Sequence, residues 1–494
     1  MRPVEFLLYR VARFFRSMPA HPARPRLVPL IIACALFMEN LDSTIIATAL
    51  PQIARALGED PLHLSLAITA YLLSLAVFIP LSGWIADRYG AKRVFRYAIL
   101  LFTLGSALCG LSQSMLGLVV ARVLQGLGGA MMVPVGRLVL LRNTPKAELV
   151  AAMSWLTIPA LLGPILGPPV GGFIVTYASW RWIFFINLPI GLIGFWLVTR
   201  YIDEIPGRRG APLDWRGWLL LGSGLALLVS GFEQLGKHIA SNVAVTAMLL
   251  LGAALLGAYV LYARGGRGRI LDLGLLRIPS FRTSVGGGTV YRASIGAYTL
   301  LMPLMLQLGF GFSAAASGTT TFVSAIGAVA MKTAAPRIVR RFGFRPLLIG
   351  DALLSAAFVV GIGLFTATTP RALMLGWLLA YGFFRSLQFT CINTLGFADV
   401  PETRMSQATS FSSTAQQLAL SLGVGLGSQL LNSSLALRGG LVLETIDFRH
   451  AFFGVALVCA ASALSFRRLH ADAGSAVSGH ARVAAEPEPA EQRN

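Results

Sequence analysis

Fourteen apolar runs follow one another along the chain, at about residues 27–50, 64–86, 94–112, 116–141, 149–176, 182–201, 216–235, 243–263, 283–307, 317–336, 347–367, 372–398, 407–431 and 449–466. A bilayer's hydrocarbon core, about 30 Å thick, is crossed by about 20 helical residues. Barrel strands need only about ten residues of alternating polarity, and these runs neither alternate nor stop so soon. A lipid-exposed span must satisfy its backbone internally, which leaves the α-helix. The expected fold class is an all-α membrane protein with 14 transmembrane helices.

Charge supports this reading and narrows it. Only 13% of the 494 residues are charged, against about 25% in soluble domains, so the shell of two or three water-soluble domains cannot be assembled. The apolar content also excludes a disordered chain. The net charge of +20 would fit nucleic acid, but the basic residues sit in short loops between spans. Arg88, Lys92 and Arg93; Arg142 and Lys146; Arg208 and Arg209; Arg264, Arg267 and Arg269; and Arg337, Arg340, Arg341 and Arg345 fill one set of loops. The alternate loops hold little beyond Arg55, Arg181, Lys237, Arg371 and Arg438. The first set is therefore expected in the cytoplasm, with both termini there and the chain in the cell inner membrane.

A short segment recurs: Ala86-Asp87-Arg88-Tyr89-Gly90-Ala91-Lys92 returns in outline as Val339-Arg340-Arg341-Phe342-Gly343-Phe344-Arg345. Copies eight spans apart imply two six-helix halves with two helices inserted between them, a transporter pattern whose substrate site lies at the repeat interface. The expected division is a basic N-terminal segment over 1–26, a first bundle over 27–201, a two-helix linker over 202–270, a second bundle over 271–469 and a disordered tail over 470–494. Residues 4–18 read either as an amphipathic helix on the inner membrane face or as a basic tail. The first run is too long for a signal peptide. Cys34, Cys109, Cys391 and Cys459 lie in apolar runs without CxxC spacing and read as small core residues.

Four stretches together resemble the major facilitator superfamily, and within it the fourteen-span drug:proton antiporters of the EmrB/QacA type. Leu41-Asp42-Ser43-Thr44-Ile45-Ile46-Ala47-Thr48-Ala49-Leu50-Pro51 is similar to that branch's first span, and Gly83-Trp84-Ile85-Ala86-Asp87-Arg88-Tyr89-Gly90-Ala91-Lys92-Arg93 to the loop between spans two and three. Arg122-Val123-Leu124-Gln125-Gly126-Leu127-Gly128-Gly129 resembles the fourth-span motif. Gly163-Pro164-Ile165-Leu166-Gly167-Pro168-Pro169-Val170-Gly171-Gly172 resembles the fifth-span antiporter motif in full. Ala47 stands where the branch usually has Asn, and Ala91 where it usually has a basic residue. The resemblance implies two six-helix bundles, antiport of lipophilic drugs against protons, and a gating role for Gly83, Asp87, Arg88, Gly90, Lys92 and Arg93.

The intramembrane charges carry the chemistry. A charge in hydrocarbon costs from about 2.5 kcal/mol upwards, so each one needs a partner or a task. Asp42 and Arg122 lie at similar depths, roughly 12 and 9 Å from the outer face at 1.5 Å per residue. Together they can couple a proton to movement or contact substrate; alternatively they form a permanent ion pair that orients two helices. Glu39, three residues before Asp42 and on nearly the same helix face, is a candidate second proton carrier, a contact for cationic drugs, or an acid facing a water-filled cavity. Gln125, Arg292 and Arg385 are expected to line the substrate cavity, the two arginines favouring anionic, zwitterionic or neutral compounds. Lys332 is expected to snorkel to the interface, with Glu233 and Asp351 at span ends. In the fifth-span motif, Gly163, Gly167, Gly171 and Gly172 make a smooth face for close helix approach, while Pro168 and its neighbours kink the helix.

Rival functions fail on chemistry. Gly231-Phe232-Glu233-Gln234-Leu235-Gly236-Lys237-His238 approaches a phosphate-binding loop, but His238 replaces the magnesium-binding hydroxyl and no strand precedes it. The six histidines are scattered, without metal-ligand spacing. The expected protein is not an enzyme and carries no metal or cofactor. Its expected partners are small-molecule substrates, protons and the lipid bilayer, with a periplasmic adaptor left open and nucleic acid excluded. A proton-coupled or passive transporter of one specific metabolite, anionic cargo included, is the alternative to multidrug efflux.

Overall fold

A computed structural model describes residues 24–480, apart from 60, 205, 208–211, 236–240, 266–268, 441 and 471. The segment over 4–18 and the tail beyond 480 lie outside the described residues. The first half comprises α1 (Arg24–Leu57), then α2 (Pro61–Phe78), which passes through a 3-10 turn at Ile79–Leu81 into α3 (Ser82–Tyr89). It continues with α4 (Ala91–Leu111), α5 (Met115–Asn143), α6 (Leu149–Tyr177), α7 (Trp182–Phe185) and α8 (Asn187–Tyr201). The inserted pair is α9 (Trp215–Gln234) and α10 (Asn242–Arg264). The second half holds α11 (Pro279–Leu304), α12 (Ala314–Phe342), α13 (Phe344–Gly363), α14 (Arg371–Ala398), α15 (Met405–Arg438) and α16 (Thr445–Arg467).

Among the described residues, ten helices are long and apolar enough to cross a membrane. Helices α6, α11, α14 and α15, of 29, 26, 28 and 34 residues, run among them. Each apolar run of the sequence coincides with one of these rods or, at 64–86 and 182–201, with two consecutive helices. Hydroxyl and carboxylate caps begin several of them: Ser114, Asp214, Ser241 and Ser313 accept from backbone N–H groups of the first turn, satisfying donors that the helix itself leaves free.

The repeated segment is one turn used twice. Gly90 separates α3 from α4 at φ 90°, and Gly343 separates α12 from α13 at φ 71°. Each glycine N–H bonds the carbonyl four residues back, Ala86 or Val339, at 2.9 Å. A side chain in that left-handed region would be strained, which accounts for glycine at both places.

Helices in the second half touch backbone to backbone. A Cβ at Gly382 of α14 would stand 1.7 Å from the Ser324 carbonyl oxygen, and one at Gly327 of α12 would stand 1.9 Å from that of Leu379. Gly423 and Gly296 bring α15 and α11 together in the same way, against Ala293 and Leu420. Small residues replace hydrophobic drive as the means of association in lipid.

The apolar core is unevenly shared. At the end of the bundle bearing the basic loops, one continuous cluster joins Phe95 and Leu138 of the first half to Met331, Leu348 and Leu395 of the second. At the far end the cores are separate, one around Ile45, Leu118 and Phe184, the other around Tyr298, Val359 and Phe448. Among the described residues, the apolar cores of the two halves are thus joined at the basic end and separate at the far end. Residues 472–480, read from composition as part of a disordered tail, instead dock on this end. Their short helix α17 (Ser475–Ser478) buries Val477, Gly474 packs on the Phe344 ring, and the His480 ring bonds the Arg340 carbonyl at 2.9 Å.

Candidate functional site

Asp42 of α1 is 1% exposed and Arg122 of α5 is wholly buried. Arg122 Nη1 donates to Asp42 Oδ2 at 2.6 Å and to Gln125 Oε1 at 2.8 Å. Gln125 Nε2 and Asn187 Nδ2 donate to Asp42 Oδ1 at 2.8 and 2.9 Å. Asn187 also reaches Ser106 Oγ at 3.0 Å. Arg122 stands over the Tyr71 ring at 4.2 Å, and its Nε donates to the Ala67 carbonyl at 3.4 Å. Five helices, α1, α2, α4, α5 and α8, therefore meet on one ion pair. Both Asp42 oxygens accept hydrogen bonds, as a charge out of water requires, while Arg122 Nη2 and Asn187 Oδ1 have no hydrogen-bond partner.

Local sequence makes this convergence possible. Gly105 lies against the backbone of Gln125, where a Cβ would come within 2.7 Å, so α4 and α5 close tightly beside the pair. The break between α7 and α8 puts Asn187 at a helix start, with its amide turned inward and no exposure. Gln125, expected in the substrate cavity, is instead part of this network. Asn187 and Ser106 escaped the sequence reading, although an Asn inside the run 182–201 is itself a polar flag.

Glu39 lies one turn from Asp42 and is 8% exposed. Its Oε2 and the Tyr71 hydroxyl both lack a hydrogen-bond partner, and both border Gly129. A second acid thus sits beside the pair without sharing its donors.

In the fifth-span motif, Gly163 and Gly167 face α1: added Cβ atoms would come within 2.8 Å of Asn40 and 2.2 Å of Thr44 Oγ1. Gly171 is buried, while Gly172 has open space around it. The side chain of Pro168 lies outside the described residues. The smooth face therefore packs on the helix that carries Asp42 and Glu39.

The loop motif bridges the halves at the basic end. Asp87 accepts hydrogen bonds from Ser406 Oγ of α15 and, at 3.4 Å, from Arg142 Nη2. Gly83 presses on the Ser406 carbonyl, where a Cβ would stand 2.8 Å away. Ser410 Oγ bonds the carbonyls of Ile79 and Pro80 at 3.1 and 2.9 Å. Lys92 pairs loosely with Glu204 at 3.8 Å, and Arg88 and Arg93 are exposed. Ser406 and Ser410 carry no motif and were invisible in the sequence.

The cations of the second half are placed differently from expectation. Arg292 is 1% exposed and donates to Asn393 Oδ1 at 2.8 Å. Arg385 is only half-buried and stands over the Tyr298 and Tyr381 rings at 5.5 and 5.6 Å. Lys332 does not snorkel: α12 turns it against α14, where it donates to Thr390 Oγ1 at 2.6 Å. Asp351 is not interfacial, because α13 starts at Phe344 and carries it two turns inward. There it is 5% exposed beside Tyr291, Cys391 and Cys459, with neither carboxylate oxygen hydrogen-bonded.

Comparison with known proteins follows this geometry. The Major Facilitator Superfamily model matches residues 32–424. "Putative multidrug resistance protein MdtD" of Salmonella heidelberg (strain SL476) is 38% identical over 455 residues, covering 90% of this chain and 94% of that one. The protein of the same name from Salmonella typhimurium (strain LT2) matches equally well. Among solved structures, the human organic anion transporter MFSD10 superposes with a TM-score of 0.62 at 17% identity, covering 90% of this chain and all of that chain, 100%. The proton:xylose symporter XylE gives 0.62 at 16% identity, covering 90% and 95%. At such identities the structures share the fold.

Proposed function

The chain belongs to the major facilitator superfamily, and from that premise we propose that it is a proton-coupled exporter of lipophilic small molecules working by alternating access. The observation that carries this reading is the buried Asp42–Arg122 pair with its Gln125 and Asn187 ligands. A proton placed on Asp42 removes its attraction to Arg122 and turns one acceptor oxygen into a donor. The Gln125 and Asn187 amides, which now donate to Oδ1, must then rearrange, and α1, α5 and α8 move with them. Glu39 offers a second acceptor for the same proton.

Orientation follows from the basic loops, which belong in the cytoplasm. The state described is then closed inside and parted outside, where protons load. Export of drugs is supported by the 38% identity to a protein named for multidrug resistance. Proton release on the inner side would re-form the ion pair and complete the cycle.

The test uses inside-out vesicles with an imposed proton gradient and a pH-sensitive dye. Cationic, neutral and anionic lipophilic compounds are added to wild type and to Asp42→Asn. The expected result is compound-dependent proton release in wild type and its loss in the variant. Release that persists in Asp42→Asn would remove Asp42 from the coupling path. No release with any compound would overturn antiport and favour an uncoupled transporter of a specific metabolite.

The loop motif gives a second expectation. Hydrogen bonds to a charged group are worth about 1.5–3 kcal/mol, so Asp87→Ala should shift the equilibrium at least about tenfold towards opening of the basic end. With the four native cysteines replaced, maleimide labelling of Ser410→Cys from that side should accelerate by a similar factor. Unchanged labelling would show that Asp87 does not hold the gate.

A further inference from the structure

Arg122 shows what a buried guanidinium in this bundle requires: a carboxylate, an amide oxygen, a carbonyl and a ring. Two other buried arginines have no such set. Arg137 of α5 is 5% exposed and Arg292 of α11 is 1% exposed. Arg137 Nη1 and Arg292 Nε have no hydrogen-bond partner, and neither has Arg122 Nη2; what Arg122 has and the other two lack is a carboxylate. Among the described residues, neither arginine forms an ion pair. Arg137 has the Phe397 ring at 5.9 Å; Arg292 has Asn393 and, at 5.7 Å, the Phe389 ring.

Phe389, Asn393 and Phe397 are spaced by four and form one stripe along α14. The two guanidiniums are laid along that stripe from opposite halves of the molecule, Arg292 at Phe389 and Asn393 and Arg137 at Phe397. The buried acid of the second half, Asp351, forms no ion pair with either guanidinium, and neither of its carboxylate oxygens has a hydrogen-bond partner. Arginine cannot shed its charge to relieve the situation. Two like charges held out of water across a seam that must open and close are costly in the absence of an anion.

We propose that Arg137 and Arg292 are the two jaws of an anion site, which takes the acidic headgroup of an amphipathic organic anion when the halves part at the basic end. The planar guanidiniums suit a carboxylate, sulfonate or phosphate ester, and Phe389 and Phe397 receive the apolar body. Neutralising the repulsion lets the seam close again around the cargo. The proposal rests on the transporter reading, whose substrate class it names. It keeps Arg292, expected from sequence to line the substrate cavity, and sets Arg137 beside it where the sequence suggested Arg385.

The test is equilibrium binding, which does not depend on proton coupling. The full-length protein in phosphatidylcholine nanodiscs is titrated with dansyl-labelled undecanoate and with its neutral carboxamide, empty nanodiscs being subtracted. One charge-assisted bidentate contact predicts a preference of at least about tenfold for the carboxylate. Arg137→Gln and Arg292→Gln should each reduce that preference to about threefold or less while leaving carboxamide affinity unchanged. Lysine at either position should restore part of it, which a packing role would not. Equal wild-type affinity for the two probes, a preference that survives both Gln variants, or equal loss of both probes would overturn the site. So would abolition of the preference by chloride at physiological concentration, which would assign the jaws to an inorganic ion. Failure of proton antiport appears only in the vesicle assay, so the two failures are distinguishable.

Discussion

Removing Asp42 alone is expected to destabilise the protein more than removing Asp42 and Arg122 together. In Asp42→Leu the guanidinium of Arg122 stays charged, since arginine is not deprotonated in proteins, and it loses a partner at 2.6 Å in a fully buried site. Breaking such a pair from one side costs about 3–5 kcal/mol. In Arg122→Met the remaining carboxyl keeps the Gln125 and Asn187 amides and is able to take up a proton, so the cost is smaller. The double variant leaves no charge to strand. Thermal unfolding in detergent, run as a double-mutant cycle, should give a coupling of several kcal/mol, on the order of the cost of breaking one buried pair. A coupling near zero would mean that the two groups do not depend on each other in the folded protein. The same asymmetry separates stability from transport: Asp42→Asn keeps much of the hydrogen bonding and should lose proton coupling while remaining folded.

The second large effect is steric. Gly382→Val would drive its Cβ to within 1.7 Å of the Ser324 oxygen, and Gly327→Val to within 1.9 Å of the Leu379 oxygen. Neither obstacle is a flexible side-chain end; both are backbone on a neighbouring helix. The helices α12 and α14 must separate, which strips the packing around Lys332 and Ser386, bonded to Thr390 and to the Ala328 carbonyl. Overpacking of this kind costs about 3 kcal/mol or more, and each variant should give little monodisperse protein. Gly172→Ala, which meets nothing within 4 Å, serves as the control and should express as wild type. Normal yield from Gly382→Val would refute the backbone contact.

Helices were legible because a bilayer imposes one length and one polarity on every span. The runs at 116–141 and 182–201 match α5 and α8 with its short forerunner α7. The Asp42–Arg122 pairing was legible from equal depth, and the repeated glycine turn from a seven-residue echo. Depth does not tell which face of a helix a side chain takes, so Lys332 and Asp351 were placed at the interface while packing turned both inward. Composition likewise misread residues 472–480: the Ala/Glu/Pro-rich tail reads as disordered from 470 on, yet Gly474 packs on Phe344 and α17 follows it. Arg137 was the larger omission. It is a charge within an apolar run, and its significance lies in Arg292, which belongs to the other half and has no sequence relation to it.

The inserted helices leave the bundle with two unlike flanks. Trp218 of α9 donates to the Val77 carbonyl of α2 at 2.9 Å, and Phe232 of the same helix lies on Gly425 of α15. The narrow gap between them is lined by Ala76 and Ile79, Leu225 and Val229, and Thr414, Gln417 and Leu418. Helix α9 therefore roofs the crevice where the first half meets the second along α2 and α15. On the opposite flank α6 and α12 meet each other directly. One flank therefore presents a third helix to the surrounding lipid and the other a two-helix seam, so the bundle is asymmetric towards the bilayer.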